Sequence, residues 1–197
     1  MDFASVVTLE DEFVRLEPLS PDHAAGLAET AADMERPWYT VVPAPDEVPD
    51  EISRRLALRD AGSMNPFAIR RLATGRLVGM TTFCNIDQSH RRTELGYTWL
   101  GREAQGTEVN PAVKRLLLAH AFEACDAISV QLFTHVMNHQ SRAAIERLGA
   151  KLDGVLRSHR IMADGSLRDT AVYSILPHEW PAVRNGLDAR LARRSVR

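Results

Sequence analysis

The chain has 197 residues, of which 45% are hydrophobic, and its 26 acidic and 24 basic side chains give a formal net charge of -2. This length suits one domain with a sizeable core, and no Pro-, Gly- or Ser-rich linker interrupts residues 1–197, so we predict a single domain. The interspersed charges exclude a global basic field that would recruit nucleic acid, and no apolar run reaches the roughly 18 residues of a membrane span.

The positions of the cysteines and histidines and the composition of the two chain ends indicate which kind of protein this is. Cys84 and Cys125 lie in apolar contexts without metal-ligand spacing, which favours reduced core thiols in a cytoplasmic protein. His135 and His139 have i, i+4 spacing but fall across a strand end and a helix start, so we predict no metal site. The acidic N-terminus lacks a basic and apolar leader, and the arginine-rich tail at 190–197 is predicted to be a solvated helix end. We expect neither nucleic acid nor membrane as a partner.

The first half of the chain alternates between strand and helix patterns. Turn and capping signals bound each element, notably Ser20-Pro21 before a helix and Ala-Thr-Gly within a hairpin. In chain order we predict a strand at 13–19, a helix from 20 to about 33, a second helix at 46–61 and hairpin strands at 67–72 and 77–84.

The segment RTELGYTWL at residues 92–100 alternates Leu95, Tyr97 and Trp99 on one face with Glu94, Gly96 and Thr98 on the other, and therefore predicts a strand. Gly96 weakens the pairing of this strand and indicates a bulge or the close approach of another backbone. Such a feature could separate the strand from its neighbour and open a slot for a linear ligand.

A glycine turn, Gln105-Gly106-Thr107, follows this strand and leads into a helix whose N-cap and first position we predict at Asn110-Pro111. The N–H groups of the helix's first turn are free, and the helix dipole favours an anion beside them. The pattern predicts a diphosphate site, although most glycine turns before a helix are only connectors.

The remaining chain predicts a strand that ends near His135, a helix from Asn138 to the stop at Gly149, two strands joined by Asp164-Gly165, and a closing helix from His178 to about Arg194. These elements predict an α/β fold with a central, twisted, mixed sheet and helices on both faces.

Several motifs together resemble the GCN5-related N-acetyltransferase (GNAT) superfamily, in particular its branch of ribosomal-protein N-terminal acetyltransferases. They cover nearly the whole chain: FVRLEPLS at 13–20, ATGRLVGMTTF at 73–83, ELGYTWL at 94–100, the glycine turn, NHQSRAAIERLGA at 138–150 and LRSHRIMADGSLRDTAVYSI at 156–175. The resemblance implies the GNAT fold, acetyl-CoA or another acyl-CoA as cosubstrate without a metal, and transfer of the acetyl group to a primary amine on a protein N-terminus or a small molecule.

The resemblance also implies roles for individual residues. Glu94 matches the strand carboxylate that acts as general base, although a solvated partner for a nearby arginine is an equal alternative. Ser141 matches a serine that protonates the departing thiolate, with a helix first-turn serine as the alternative. The implied cofactor-binding residues are Trp99, Leu100, Arg102, Gln105, Gly106, Thr107, Val109, Asn110, Lys114, Asn138 and Arg142.

The acceptor is less well specified. The resemblance places Trp38, Tyr39, Arg157 and His159 around the amine. For the aromatic pair we favour a loop plug that packs on the core, because large aromatic side chains are usually buried. Arg157 and His159 alternate on one strand face and could meet a carboxylate or lie in solvent.

Two positions depart from the family pattern. In the diphosphate loop only Gly106 matches, while Glu103 and Glu108 occupy the other two positions. An unscreened Glu108 would repel the diphosphate, whereas a solvent-facing one would matter little. Ile145 stands where many members carry a tyrosine that protonates the thiolate. These departures leave open a non-catalytic binding or regulatory module as the alternative function, with a homodimer as one possible assembly.

Overall fold

The computed structural model describes residues 2–40 and 42–195, except for the side chains of residues 194 and 195. The last two residues of the arginine-rich tail therefore lie outside the described part. Within it, the strands are β1 (Leu9–Glu10), β2 (Val14–Pro18), β3 (Met64–Arg71), β4 (Leu77–Asp87), β5 (Arg92–Leu100), β6 (Ser129–His135), β7 (Lys151–Ile161) and β8 (Leu167–Ile175). The helices are α1 (Ala24–Ala31), α2 (Val48–Asp60), α3 (Val109–Ala119), α4 (His139–Leu148) and α5 (Trp180–Ser195).

The described strands form one mixed sheet in the order β1-β2-β3-β4-β5-β6-β8-β7. Neighbouring strands are antiparallel except β5 and β6, which pair in parallel. That parallel pairing is short, because it runs from Arg92 opposite Ser129 to Glu94 opposite Gln131 and ends there. The predicted mixed sheet is confirmed, and its one parallel junction is also the place where it opens.

Apolar residues pack on both faces of the sheet, as predicted. The larger cluster joins strand residues such as Leu16 and Phe83 to α3, α4 and α5 through Val113, Ile145 and Leu187. The smaller cluster packs α1 and α2 against the opposite face. It contains Leu19, Leu27, Ala31, Val48, Ile52, Ala68, Met80 and Trp99. The two helical layers fix β4 and β5 in the middle of the protein.

Most of the predicted turns are confirmed by their backbone angles. Gly75, Gly165 and Gly149 have positive φ values of 68°, 82° and 105°, which suit the two hairpins and the end of α4. Cys84 and Cys125 are buried free thiols, as predicted.

The predicted start of α3 was wrong. The helix begins at Val109, and the Ala112 N–H donates to the Glu108 carbonyl over 3.0 Å, so Glu108 and not Asn110 holds the cap position. The Thr107 hydroxyl accepts from the Val109 N–H over 3.3 Å and supplies the side-chain contact that we expected from Asn110. At its other end α3 continues as a π-helical turn over His120–Ala124.

In the part of the chain that the structure describes, no helix has the length and apolar character to cross a membrane. The same residues contain no group of three or more His, Cys, Asp and Glu side chains placed to hold a metal ion.

Candidate active site

The main cavity lies where β5 and β6 diverge after Glu94. It has a volume of about 990 Å³ and runs from the loop after β5, past the start of α4, to the β7–β8 hairpin. A second cavity of about 520 Å³ lies between α4 and α5, away from the strand opening. The larger cavity, here called the slot, contains most of the residues singled out from the sequence.

A bulge in β5 shapes the wall of the slot. Thr82 pairs with Gly96 and Met80 pairs with Trp99, so that Tyr97 and Thr98 together oppose one residue of β4. Tyr97 has a φ of 50°, which a residue with a side chain rarely adopts. The bulge predicted near Gly96 is therefore confirmed, one position further along the strand.

Gly96 also explains how a carboxylate fits beside the bulge. A Cβ atom at this position would lie 2.7 Å from Glu94 Oε1 and 2.9 Å from Cys84 Sγ. Real Cβ atoms do not approach other atoms this closely, so any larger residue would displace the Glu94 carboxyl group. The glycine is needed as much for the Glu94 side chain as for the strand.

Arg55 of α2 contacts the bulge from the face of the sheet that carries α1 and α2. The sequence pattern did not reveal this contact. Its side chain is fully buried and pairs with Glu51 over 2.7 Å. Its guanidinium donates to Thr82 Oγ1 over 2.9 Å and to the Tyr97 carbonyl over 3.3 Å, and it lies 5.5 Å from the centre of the Tyr97 ring. A charged side chain from α2 thus satisfies the carbonyl group that the bulge removes from the sheet.

Glu94 is the buried carboxylate of the slot. Only 4% of the residue is exposed, and Oε2 accepts a hydrogen bond of 2.6 Å from Asn85 Nδ2. Burial raises the pKa of Glu94, against the opposing effects of the Asn85 hydrogen bond and of Arg160 and Arg168. The alternative of a solvated surface carboxylate is wrong. A carboxylate with a raised pKa at the opening between two strands has the chemistry of a general base.

The glycine turn presents backbone donors to the other end of the slot. Gly106 has a φ of 71°, and the N–H groups of Gly106 and Glu108 have no hydrogen-bond partner among the described residues. The side-chain amide of Gln105 donates through Nε2 to the Leu100 carbonyl over 2.9 Å, and the Thr107 hydroxyl donates to the Ala104 carbonyl over 2.7 Å. Two free amides beside a helix start form the arrangement that holds phosphate oxygens in many proteins.

Among the predicted cofactor-binding residues of this stretch, Trp99, Leu100, Arg102, Gln105, Gly106, Thr107 and Asn110 line the slot. Val109 does not, because its side chain is fully buried in the core and its N–H is bonded to Thr107. The Trp99 indole packs in the smaller apolar cluster, and its Nε1 has no hydrogen-bond partner in the part of the chain described. The edge of β5 beyond Glu94 has no β6 strand partner.

Glu108 faces neither solvent nor the slot. Its carboxylate forms an ion pair of 2.6 Å with Arg71 at the end of β3, and the two side chains are 17% and 24% exposed. Neither possibility raised from the sequence, a solvated carboxylate or one that repels the diphosphate, describes this arrangement. A partly buried arginine neutralises the charge that departs from the family pattern.

Lys114 lines the slot, but its ammonium group is held beside the β5 bulge. The residue is 9% exposed, and its ammonium group donates to Thr98 Oγ1 over 3.3 Å. Burial lowers the pKa of Lys114 from 10.5 to about 8. This contact with the bulge disfavours the predicted phosphate contact.

The start of α4 forms the wall opposite β5. Asn138 caps this helix, and its Oδ1 accepts from the Ser141 N–H over 3.0 Å, as predicted. Ser141 is half-buried and lines the slot, and its hydroxyl group bonds to no other described residue. Ile145, one turn later, is buried and also lines the slot. The available proton donor on this wall is therefore the Ser141 hydroxyl.

Arg142 is directed elsewhere. Its guanidinium donates to the Tyr173 hydroxyl over 3.0 Å and to the Val136 carbonyl over 3.3 Å, and Tyr173 in turn donates to Glu146 over 2.8 Å. This network raises the pKa of Arg142, chiefly through the Tyr173 hydrogen bond. The structure disfavours the predicted phosphate contact of Arg142. Two other arginines line the slot instead: Arg147, and Arg190 at the start of the tail that was predicted to be solvated.

The loop after α1 closes over the far end of the slot. Trp38 is 57% exposed and packs edge-on against the His135 ring at 5.1 Å, while Tyr39 lies 6.2 Å from the same ring. The favoured interpretation of these two residues as a plug in the core is wrong for Trp38, because Trp38 packs against a histidine of the slot and not against the core. Of the pair, Tyr39 lines the slot.

Arg157 and His159 lie outside the slot, contrary to prediction. Arg157 is exposed and pairs with Asp169, and His159 bonds through Nδ1 to Thr170 Oγ1. The reason is a bulge in β7, where the register shifts between Leu156 and Arg160. The next arginine, Arg160, lines the slot together with its β8 partner Arg168. A sequence pattern that assumes regular alternation cannot locate such a shift.

Comparison with known proteins agrees with this architecture. Residues 14–151 match the family described as "Acetyltransferase (GNAT) domain". The chain belongs to the GNAT acetyltransferase family. The match includes both strands that diverge, the glycine turn and the start of α4.

Individual relatives point to the predicted branch of the family. "Putative ribosomal N-acetyltransferase YdaF" of Bacillus subtilis (strain 168) is 34% identical over 122 residues, which are 62% of this chain and just under two thirds, 66%, of YdaF. A crystal structure described as that of a "putative acetyltransferase" from T. thermophilus is 34% identical with a TM-score of 0.82, and the likeness covers 93% of this chain and 96% of that one. Mycobacterium smegmatis RimJ in complex with CoA-disulfide is 25% identical with a TM-score of 0.80 and 98% coverage of both chains.

Proposed function

We propose that this protein transfers an acetyl group from acetyl-CoA to a primary amine. The observation that carries the proposal is the buried Glu94 carboxyl group at the point where β5 and β6 separate. A direct transfer needs a base at the meeting point of the thioester and the amine, and Glu94 is the described carboxylate that is both buried and part of the slot wall.

The residues of the slot suit the shape and charge of a CoA molecule. The edge of β5 beyond Glu94 lacks a strand partner and can bond to the amide groups of a pantetheine arm, as an added strand would. Gly106 lines the slot, and the free N–H groups of Gly106 and Glu108 at the start of α3 are suited to bond a diphosphate. The RimJ structure with CoA-disulfide supports CoA as the ligand of this architecture.

Acetyl-CoA would supply the acetyl group as a thioester. Glu94 accepts the proton of the attacking amine, directly or through a water molecule, as the new carbon–nitrogen bond forms. Ser141 donates its hydroxyl proton to the sulfur as the carbon–sulfur bond breaks, and it recovers a proton from solvent. Because Ile145 cannot donate a proton, Ser141 takes the role that a tyrosine has in many family members.

The alternative of a non-catalytic module depended on Glu108. Its pairing with Arg71 removes the repulsion that would close the site to a diphosphate. The geometry therefore favours the enzyme. We further propose that residues 1–197 act as one domain in the cytoplasm, where Cys84 and Cys125 would stay reduced. A homodimer stays a prediction that light scattering would test.

Calorimetric titration with acetyl-CoA, together with an assay of thiol release in the presence of amines, tests the proposal. We expect micromolar binding and an amine-dependent release of CoA. Ser141→Ala should lower kcat by roughly 10²-fold with little change in acetyl-CoA affinity. Ser53→Ala is the control, because Ser53 lies on the exposed face of α2 and bonds to the Pro49 carbonyl. Absence of acetyl-CoA binding by the folded protein would reject the proposed function.

A further inference from the structure

Three hydrogen-bond donors meet at the end of the slot that lies away from the glycine turn. Arg160 of β7 and Arg168 of β8 pair directly across the hairpin, and both line the slot together with His135 of β6. Among the described residues neither arginine forms an ion pair, although the Arg168 Nε donates to Thr170 Oγ1 over 3.0 Å. Two positively charged side chains opposite one another destabilise a strand pair unless an anion lies between them.

The hydrogen bonds of His135 show which of its nitrogen atoms can donate. The Met137 N–H donates to Nδ1 over 3.0 Å, so the proton of the neutral ring lies on Nε2. The residue is 4% exposed, and Nε2 has no hydrogen-bond partner within the described chain. Burial lowers the pKa of His135, and Arg168 adds to this effect against the opposing charge of Asp169, so the neutral form of the ring is favoured. A buried N–H without a partner costs free energy unless a ligand accepts from it.

Glu94 is near enough for the charges of Arg160 and Arg168 to lower its pKa, but it contacts neither of them directly. It forms no ion pair with either of them, and its own carboxyl oxygen is bonded to Asn85. It is also the group that must receive a proton from the amine. The far end of the slot therefore presents two guanidinium groups and a neutral imidazole donor, with the base beside them.

We propose that Arg160, Arg168 and the Nε2–H of His135 form a carboxylate subsite, and that the acceptor is a primary amine that carries a carboxylate near the amino group. The proposal rests on the function proposed above and specifies its substrate class. The amino group faces Glu94 while the carboxylate meets the arginines, which are suited to planar, two-point recognition of such a group. The carboxylate belongs either to a free amino acid or to an acidic residue near a peptide N-terminus.

Two matched pairs of acceptors test the subsite at saturating acetyl-CoA. The first pair is L-alanine and L-alaninamide, which differ in the α-carboxylate. The second pair is two hexapeptide amides that differ only in Asp or Asn at their second residue. The readout is the ratio of kcat/KM for the acidic acceptor to that for its amide, with the acetylated product identified by mass spectrometry.

We expect a ratio of at least about tenfold in one of the two pairs, the effect of one charge-assisted contact. The pair that shows it identifies the source of the carboxylate. Arg160→Gln and Arg168→Gln should each bring the ratio towards one, and the corresponding Lys variants should restore part of it. Because the ratio compares two acceptors on the same protein, a loss of folded protein does not change it. Arg59→Gln is the control, since Arg59 pairs with Asp60 at the end of α2, outside the slot.

Acetylation of both members of each pair with a ratio near one would overturn the subsite and leave the proposed function in place. A protein that binds acetyl-CoA but acetylates none of the four acceptors would also overturn it. A protein that does not bind acetyl-CoA would instead reject the function on which the subsite rests.

Discussion

The end of the slot that suits CoA is built from two short stretches of chain, whereas the opposite end draws one side chain from each of five strands. The CoA end consists of the loop around Gly106 and the start of α4 at Asn138, and its contacts are mostly backbone and local. The acceptor end brings together Asn85, Glu94 and His135 with the arginine pair of the β7–β8 hairpin. Local backbone sites tolerate substitution, whereas buried charges depend on each partner, so substitutions at the two ends should differ in size.

The largest effect is expected from Arg55, the brace under the β5 bulge. Arg55→Met should lower the free energy of unfolding by about 3 kcal/mol, because Thr82 and the Tyr97 carbonyl lose a buried charged donor and Glu51 loses one of its two partners. Urea unfolding followed by circular dichroism measures the change.

Arg54→Met is a matched control for Arg55. Arg54 also pairs with Glu51 and also lies 5.5 Å from the Tyr97 ring centre, but it is partly exposed and does not reach the bulge. We expect a cost below about 1 kcal/mol for this variant. Equal losses for the two variants would show that the ion pair and not the bulge contact matters.

Replacement of Lys114 should raise the free energy of unfolding, whereas replacement of Arg55 should lower it. A lysine with a native pKa of about 8 and an unfolded value of 10.5 binds fewer protons in the native state between these pH values, so the free energy of unfolding rises with pH across that window. Below pH 8 the buried charge costs about 3 kcal/mol. Lys114→Met should therefore stabilise the protein at pH 7 by up to this amount and remove the rise between pH 8 and 10.5.

Thermal or urea unfolding at several pH values distinguishes this effect from a packing change. Arg115→Met provides the neighbouring control, because Arg115 pairs with Asp188 at the surface and should leave the pH dependence intact. A wild-type protein whose stability does not change between pH 8 and 10.5 would contradict a buried, perturbed Lys114.

Glu94 lies at the acceptor end of the slot and is the proposed base of the reaction. Glu94→Gln should lower kcat by roughly 10²-fold, or about 2.7 kcal/mol in the barrier. Because the carboxylate is the active form, kcat/KM should decrease as the pH falls through the pKa of Glu94. The raised pKa predicts that this decrease begins at a higher pH than for an ordinary glutamate. Asn85→Gly removes a hydrogen bond that lowers this pKa and suits the positive φ of residue 85. It should move the acid limb to higher pH and leave the rate at high pH near that of the wild type. If the acid limb of the pH profile were unchanged in Asn85→Gly, that limb would not report the ionisation of Glu94.

The same contrast explains what could be predicted from sequence. The slot, the glycine turn, Asn138 as a cap and Glu94 as a candidate base follow from contiguous patterns or from the family resemblance, whereas the burial of Glu94 does not. The arginine pair and His135 do not, because the β7 bulge changes which residues face inward and because their partners are distant in the chain. The sequence indicates Lys114 only as a phosphate contact and Arg55 only as a polar residue of an amphipathic helix, and the packing of α3 and α2 on opposite faces of the sheet shows that both are buried.

The smallest effect is expected at the CoA end, from the ion pair of Arg71 and Glu108. Arg71→Gln releases the Glu108 charge, which at roughly 10 Å from a diphosphate and an effective dielectric near 40 costs on the order of 1 kcal/mol, or about fivefold in acetyl-CoA affinity. Glu108→Gln alone should change the affinity little, since the pair is already neutral, and in the Arg71→Gln background it should restore most of the loss. Calorimetry on the four proteins of this cycle gives the coupling free energy directly. If Glu108→Gln alone instead strengthened binding more than tenfold, Glu108 would repel the diphosphate despite Arg71, and the CoA end would depend on a specific charge as strongly as the acceptor end.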